Sequence, residues 1–525
     1  MSEAQTDDAR QWKPAHNPWA IAVVVTLAAF MEILDTTIVN VALPHIAGSL
    51  SSSNDEATWA LTSYLVANGI VLTISGWLAA VIGRKRYFLI CIAMFTVCSF
   101  LCGIASSLPQ LVAFRLLQGF FGGGMQPSQQ SIILDTFPPN KRSAAFGVTA
   151  IATIVAPVLG PTLGGYITDT LNWRWIFFIN LPVGLIAIFF VFILVEDPPW
   201  QKRLSRHVDF IGLFLITLGL GALQVTLDRG EDEDWFGSRF IQITAVLAVV
   251  GIFGAIGWLL TAKKPVVSLE VFKDRNFTMG CVCIAATGAV LYAGAVVIPQ
   301  FTQTLIGYNA TWSGLILSPG GVAIIVLIPV VTQLMRFVQT RILIAAGFVI
   351  MGAAFVYSSQ LTLDIDFRTL VIMRSAQTAG LAFLFVPIST IAYTTLPREL
   401  NGDATALFVM FRNVFGSIGI AIASSMIIQR MQVHQSYLAQ WATPFHQPYN
   451  ELVARYEATL LASGHAASSA HDVAVGKVYQ VFQAQAAVLG YSDVFLLAGA
   501  VAFAVAPLCF LLSGVKGGGG GGAAH

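Results

Sequence analysis

The stretch FMEILDTTIVNVALP, residues 30–44, places two acids inside an apolar run that begins near Trp19. Either the run is no membrane span, or the acids have work to do within one. An ionised carboxylate at the bilayer centre costs on the order of 3 kcal/mol on insertion scales, so it persists there only when paired, hydrated or functional. Glu32 and Asp35 are three residues apart, which puts both on one face of a helix. Burial and a nearby like charge both favour a protonated carboxylate, so such a pair is placed to bind and release protons. Asn40, further along, has the chemistry to hydrogen-bond a neighbouring helix.

The rest of the chain decides for the membrane. Of 525 residues, 56% are hydrophobic and 10% charged, with a mean hydropathy of +0.75, far from a soluble average. The net charge of +1 and the lack of any nucleic-acid motif exclude a nucleic-acid partner. A spanning helix needs about 20 mostly apolar residues. Fourteen stretches meet that length: 19–46, 57–82, 86–107, 109–134, 142–168, 174–195, 209–228, 239–261, 276–304, 312–337, 341–360, 367–394, 403–430 and 489–513. The first is too long, and too acidic at its centre, for the apolar part of a cleaved leader, and is expected to remain as a span. All six cysteines fall in apolar stretches and read as small packed hydrophobes.

An even number of spans puts both termini on one side, and the basic residues choose that side. Eighteen Lys and Arg, among them Arg10, Lys13, Arg84, Lys85, Arg86, Lys141, Arg142, Lys202, Arg203, Arg206 and Lys516, fall on the side of the termini, and seven fall opposite. Basic residues in short loops resist translocation, so both termini are expected to be cytoplasmic. Arg115, Arg374 and Arg412 are left inside spans. The chain also repeats itself. Span four reads RLLQG from Arg115 and span twelve RSAQTAG from Arg374, an R-x-x-Q core followed by glycine in each. Spans one to six and nine to fourteen then align as two related bundles, with seven and eight inserted, a transporter architecture.

Several motifs, in order along the chain to about residue 513, carry a resemblance: LDTTIVNVALP (34–44), GWLAAVIGRKR (76–86), RLLQG (115–119), APVLGPTLGGYI (156–167), WRWIFFINLPVG (173–184) and FRNVFGSIGIAI (411–422). Together they resemble the major facilitator superfamily, in its fourteen-span drug:proton antiporter branch of the EmrB/QacA type. The resemblance implies an all-α integral membrane protein with the major facilitator fold, two six-helix bundles plus two inserted transmembrane helices. The expected division is a cytoplasmic N-terminal segment 1–18, a first bundle 19–195, a linker with the extra helices 196–275, a second bundle 276–513 with an extracytoplasmic loop 431–488, and a flexible tail 514–525. One departure stands in the loop motif of Gly76, Gly83, Arg84, Lys85 and Arg86. The family's acidic and basic positions before the second glycine are Ala80 and Val81 here, so the acid's charge relay cannot form from position 80 and the basic cluster reads as a topology anchor.

The resemblance implies a proton-coupled multidrug exporter of the bacterial inner membrane, working by alternating access. Helices one and four are neighbours in that fold, so Arg115, which keeps its proton, becomes the expected partner of Asp35 or Glu32, with Gln118 in the same network. A purely structural hydrogen-bonding role for these groups is the competing reading. Pro157, Gly160, Pro161, Gly164 and Gly165 bend span five and read as a hinge and interface, or as a kink fixed by packing. Arg374 and Arg412 are the second-half network residues and favour anions, whereas the two acids favour cations, so substrate charge stays open. Tyr64, Phe301, Phe408 and Phe411 are candidates for stacking on flat substrates, or are simply core.

No phosphate-binding loop and no zinc-type cluster is present, and no cofactor is expected: the driving force is the proton gradient. One charge crossing 100 mV supplies about 2.3 kcal/mol, a roughly fifty-fold gradient. The expected partners are the lipid bilayer and amphipathic small molecules, and, in a Gram-negative cell, a periplasmic adaptor with an outer-membrane channel. The polar, helix-compatible segment 431–488 is where an adaptor would dock, and its four histidines read as solvated surface. The rival readings are an exporter dedicated to one endogenous amphiphile such as a fatty acid or siderophore, and a non-transporting membrane sensor or membrane enzyme on the same scaffold.

Overall fold

A computed structural model describes residues 14–198 and 208–514. Most of the N-terminal segment and tail, with Arg10, Lys13, Lys202, Arg203, Arg206 and Lys516, lie outside the described residues. The fold is helical, and the first bundle holds α1 (Pro18–Ser49), α2 (Trp59–Ile82), α3 (Arg84–Gly103), α4 (Leu108–Gly122), α5 (Met125–Thr136), α6 (Arg142–Thr170) and α7 (Asn180–Leu194). The inserted pair is α8 (Phe210–Arg229) and α9 (Arg239–Thr261). The second bundle holds α10 (Arg275–Phe301), α11 (Ala310–Leu334), α12 (Thr340–Ser358), α13 (Phe367–Ala392), α14 (Asn401–Ala439) and, after α15 (Gln447–Ala462), α16 (Ala467–Val505).

Helix starts follow local chemistry. Asn17 accepts from the amide of Trp19, with Pro18 at the first helical position, and Asp209, Asp274, Asn309 and Asp366 cap α8, α10, α11 and α13 in the same way. Gly83 ends α2 at a φ of 99°, a conformation that favours glycine, and so turns the chain directly into α3.

Thirteen helices among the described residues are long and apolar enough to cross a membrane. The remaining expected span, 109–134, is broken into α4 and α5 at Gly123 and Gly124. Both glycines keep right-handed helical dihedrals, so the span is kinked and does not turn back. The cause is close packing. A Cβ on Gly123 would lie 2.4 Å from the Asn68 carbonyl oxygen, and one on Gly119 2.2 Å from that of Tyr64, so only glycine lets α2 lie this near. Phe210, Phe214 and Phe253 on the inserted pair are 74%, 64% and 70% exposed, an apolar surface suited to lipid.

Two seams join the bundles. Along one, α6 faces α11, with Gly147 beside Ile328, Gly321 beside Val158 and Gly314 beside Thr162. Pro157 and Pro161 lie inside a continuous α6, while Gly160 and Gly164 press on Thr37 and Ile38 of α1. At the other, Gly76 of α2 meets the backbone of Gly402, at the end of the molecule that carries the Arg84–Arg86 cluster, called here the basic end. Asp135, at the end of α5, pairs with Arg84 and accepts from Asn401 Nδ2 at 3.4 Å. Arg84 therefore has an ion-pair partner as well as any anchoring role.

Past their apolar stretches, α14 and α16 run on as helices and enclose α15 around a small core of Val453, Ala474 and Val478. This is the segment whose sequence reads as helix-compatible. His434 lies 2.8 Å from Asp493 and His471 3.0 Å from Glu457, each on an acid of the same helical group.

Candidate functional site

The face of α4 and α5 that meets α1 carries Arg115, Gln118 and Gln126, three and eleven residues apart from the first, which on a helix fall along one side. Arg115 Nη1 donates to Asp35 Oδ2 at 2.6 Å, with both side chains fully enclosed. Gln118 Nε2 and Asn180 Nδ2 donate to Asp35 Oδ1 at 3.1 Å and 2.7 Å. The guanidinium also reaches the Ala60 carbonyl (3.2 Å) and Gln118 Oε1 (2.8 Å), and lies 4.1 Å from the centre of the Tyr64 ring. Asn180 is held in turn by Ser99 Oγ at 3.0 Å. A buried charge is tolerated only with a partner and with its remaining valences satisfied, and Asp35 has both.

Glu32 lies in a separate cage. Tyr64 Oη and Asn68 Nδ2 donate to its Oε1 at 3.2 Å and 2.9 Å, and Gln126 Nε2 to its Oε2 at 2.5 Å. Gln126 Oε1 accepts from Arg412 of α14, so one amide joins the carboxylate of the first bundle to a cation of the second. Because Arg412 only donates, that amide can face only one way. Tyr393 Oη to Gln130 Oε1 (3.1 Å) and Asn401 to Asp135 are further bonds between the bundles, and all three reach α5.

Each carboxylate accepts three hydrogen bonds, Asp35 from Arg115, Gln118 and Asn180 and Glu32 from Tyr64, Asn68 and Gln126, out of the roughly four that a carboxylate can accept. The two acids share a helix face as the spacing predicts, but they are not a mutually repelling pair in one pocket, since Arg115 serves Asp35 and the Gln126 bridge serves Glu32.

Other expectations need correction. Asn40 is exposed and takes no part in the network: five residues beyond Asp35 is about 140° round the helix. Arg374 is buried in the second bundle, apart from both acids, and its described hydrogen bond is to Gln377. Arg412 does join the network, but as a bridge between bundles with no exposed cavity surface. Tyr64, Phe301 and Phe408 are buried, on Arg115, Tyr491 and Tyr393 respectively, so in this conformation none offers a free ring. Phe411 is only partly buried and stacks on Phe415 at 5.9 Å. Asn180, Asn68, Ser99 and Gln126 were not singled out from the sequence, although Asn180 sits within the WRWIFFINLPVG motif.

The family model described as Major Facilitator Superfamily matches residues 25–420. The multidrug export protein EmrB of Escherichia coli (strain K12) is 35% identical over 521 residues, which cover 98% of this chain and 100% of that protein. The chain belongs to the EmrB-type multidrug export family of the major facilitator superfamily. The fatty acid resistance protein FarB of Neisseria gonorrhoeae is also similar, 34% identical over 96% of this chain and 97% of its own length. Among solved structures, a peptide transporter POT shares the fold, with a TM-score of 0.58 at 15% identity over 98% of this chain and 100% of that one. Major facilitator proteins are transporters and not enzymes, and this multi-pass EmrB-family member is a membrane exporter of drug-like small molecules.

Proposed function

We propose that the protein is a drug:proton antiporter that exports hydrophobic and amphipathic compounds by alternating access, with Asp35, Glu32 and Arg115 as the proton-coupling groups. The observation that carries this reading is the enclosed Asp35–Arg115 pair at 2.6 Å. A proton on Asp35 cancels the charge that holds Arg115, and loss of the proton restores it, so binding and release change how α1 and α4 are held together. Gln118 belongs to the same switch. The segment of Pro157, Gly160, Pro161, Gly164 and Gly165 acts as the hinge of α6, whose glycines 160 and 164 lie on α1 and whose other side meets α11, and the driving force is the proton gradient, with no cofactor.

The termini and the Arg84–Arg86 cluster face the cytoplasm of a bacterial inner membrane, a reading supported by the eighteen-to-seven division of basic residues. The helical segment 431–488 then lies outside, and in a Gram-negative cell it docks a periplasmic adaptor that leads to an outer-membrane channel. All six native cysteines are buried and free, so single cysteines placed on exposed sites can be read without background. In intact cells an impermeant maleimide is expected to label Ser463→Cys, and to reach Asn140→Cys only after permeabilisation; the reverse pattern would invert the topology.

Proteoliposomes loaded with an amphipathic dye test the central reading. An imposed pH gradient is expected to drive dye against its own gradient. If the wild type only equilibrates dye, whatever the pH difference, antiport is wrong. The likeness to FarB supports a second reading, an exporter dedicated to one endogenous amphiphile. In that case a single fatty acid competes with every other cargo, whereas cargoes of a multidrug exporter compete only partially.

A further inference from the structure

The R-x-x-Q core recurs in α13, and its arginine–glutamine contact recurs with it. Arg374 Nη1 donates to Gln377 Oε1 at 3.2 Å, as Arg115 does to Gln118. Gln377 donates to Ser358 Oγ at 2.8 Å, at the end of α12, where Gln118 meets Cys102 Sγ at 3.5 Å near the end of α3. The carboxylate is what fails to recur. Where Asp35 faces Arg115 from α1, Gly294 faces Arg374 from α10, and a Cβ built on Gly294 would lie 3.1 Å from Arg374 Nη1 and 3.7 Å from Gln377 Oε1. Arg374 is 1% exposed, its Nε and Nη2 have no hydrogen-bond partner, and no described acidic side chain pairs with it. A guanidinium keeps its proton inside a protein, and a buried cation is costly until something anionic meets it. Phe355 lies 3.4 Å from the same Cβ position and packs on Phe495 at 6.0 Å, which gives the charge an apolar flank.

We propose that Arg374 and Gly294 form an anion site in the second bundle, which takes a monovalent anion in the place that the first bundle fills with its own Asp35. Two sources share that chemistry: the carboxylate of an acidic amphiphilic cargo, whose hydrocarbon would lie along Phe355, and a free halide. The site is enclosed in this conformation, so the anion enters as the second bundle rearranges. The cargo assignment rests on the exporter reading. Binding itself does not.

The test uses the purified full chain. Laurate is expected to raise the Tm of the wild type where its methyl ester does not, and chloride to do so against a bulky anion if the halide is the source. Both Arg374→Met, which removes the charge, and Gly294→Asp, which supplies an internal carboxylate, are expected to lose the response. Both substitutions lower the local charge by one, the first by removing the cation and the second by pairing it in place, so a shared loss in two variants that elute as the wild type does points to the site and not to failed folding. In proteoliposomes, the preference for laurate over lauryl alcohol is expected to fall about tenfold in both variants if the cargo carboxylate is bound. Variants that respond to laurate and to chloride as the wild type does would overturn the proposal. A wild type that shows the thermal response but no flux driven by a pH gradient would sink the antiport reading and leave the anion site standing.

Discussion

Asp35→Asn is expected to abolish proton-driven accumulation of cargo while counterflow exchange continues. The substitution keeps the size of the side chain and one oxygen to accept from Arg115, and the amide of Asn180 can turn to meet the new Nδ2, so of the bonds to this side chain only that from Gln118, whose own oxygen is held by Arg115, is lost. What goes is the only group in that cage able to take up a proton. A coupled charge crossing 100 mV is worth about 2.3 kcal/mol, so a gradient of roughly fifty-fold should collapse to equality. Asp35→Leu makes the contrast. It leaves Arg115 with neither an anion nor an acceptor at that position, a loss of about 3–5 kcal/mol for a broken buried pair, and should yield little folded protein. Should Asp35→Asn concentrate cargo as the wild type does, proton coupling lies elsewhere.

Gln126→Leu should open the basic end. Its amide joins Glu32 to Arg412 and is one of three described side-chain hydrogen bonds between the bundles, all of them on α5. Without it, Arg412 loses its path to a negative charge across the seam, and truncating a buried, hydrogen-bonded charged contact of this kind costs about 2–5 kcal/mol. At the lower figure the balance between closed and open states moves about thirty-fold. Spin labels on Lys141 and Glu399, exposed in the first and second bundles at that end, report the change as a longer distance component. Glu32→Gln is expected to move the same distribution in the same direction, because it removes the negative charge that Gln126 links to Arg412. Unchanged distances in both variants would mean that the seam is held by packing such as Gly76 on Gly402, and that Glu32 does not communicate across it.

Much of this architecture could be read in one dimension. Run length and hydropathy marked the spans, because a helix that crosses lipid must be apolar for about 20 residues whatever its neighbours. The R-x-x-Q cores showed the repeat, and the depth of Glu32 and Asp35 followed from counting along one helix.

Which donor serves which acid was decided only in three dimensions. Asp35 and Glu32 are neighbours on α1, yet their partners come from positions up to 145 residues away, and no spacing rule sorts Asn180 to one and Gln126 to the other. Arg115 and Arg374 look alike in sequence, but only helix packing puts Asp35 opposite the first and Gly294 opposite the second. Local interactions are written in local sequence; the fate of a buried charge depends on the groups that surround it in space, and those are supplied by other helices.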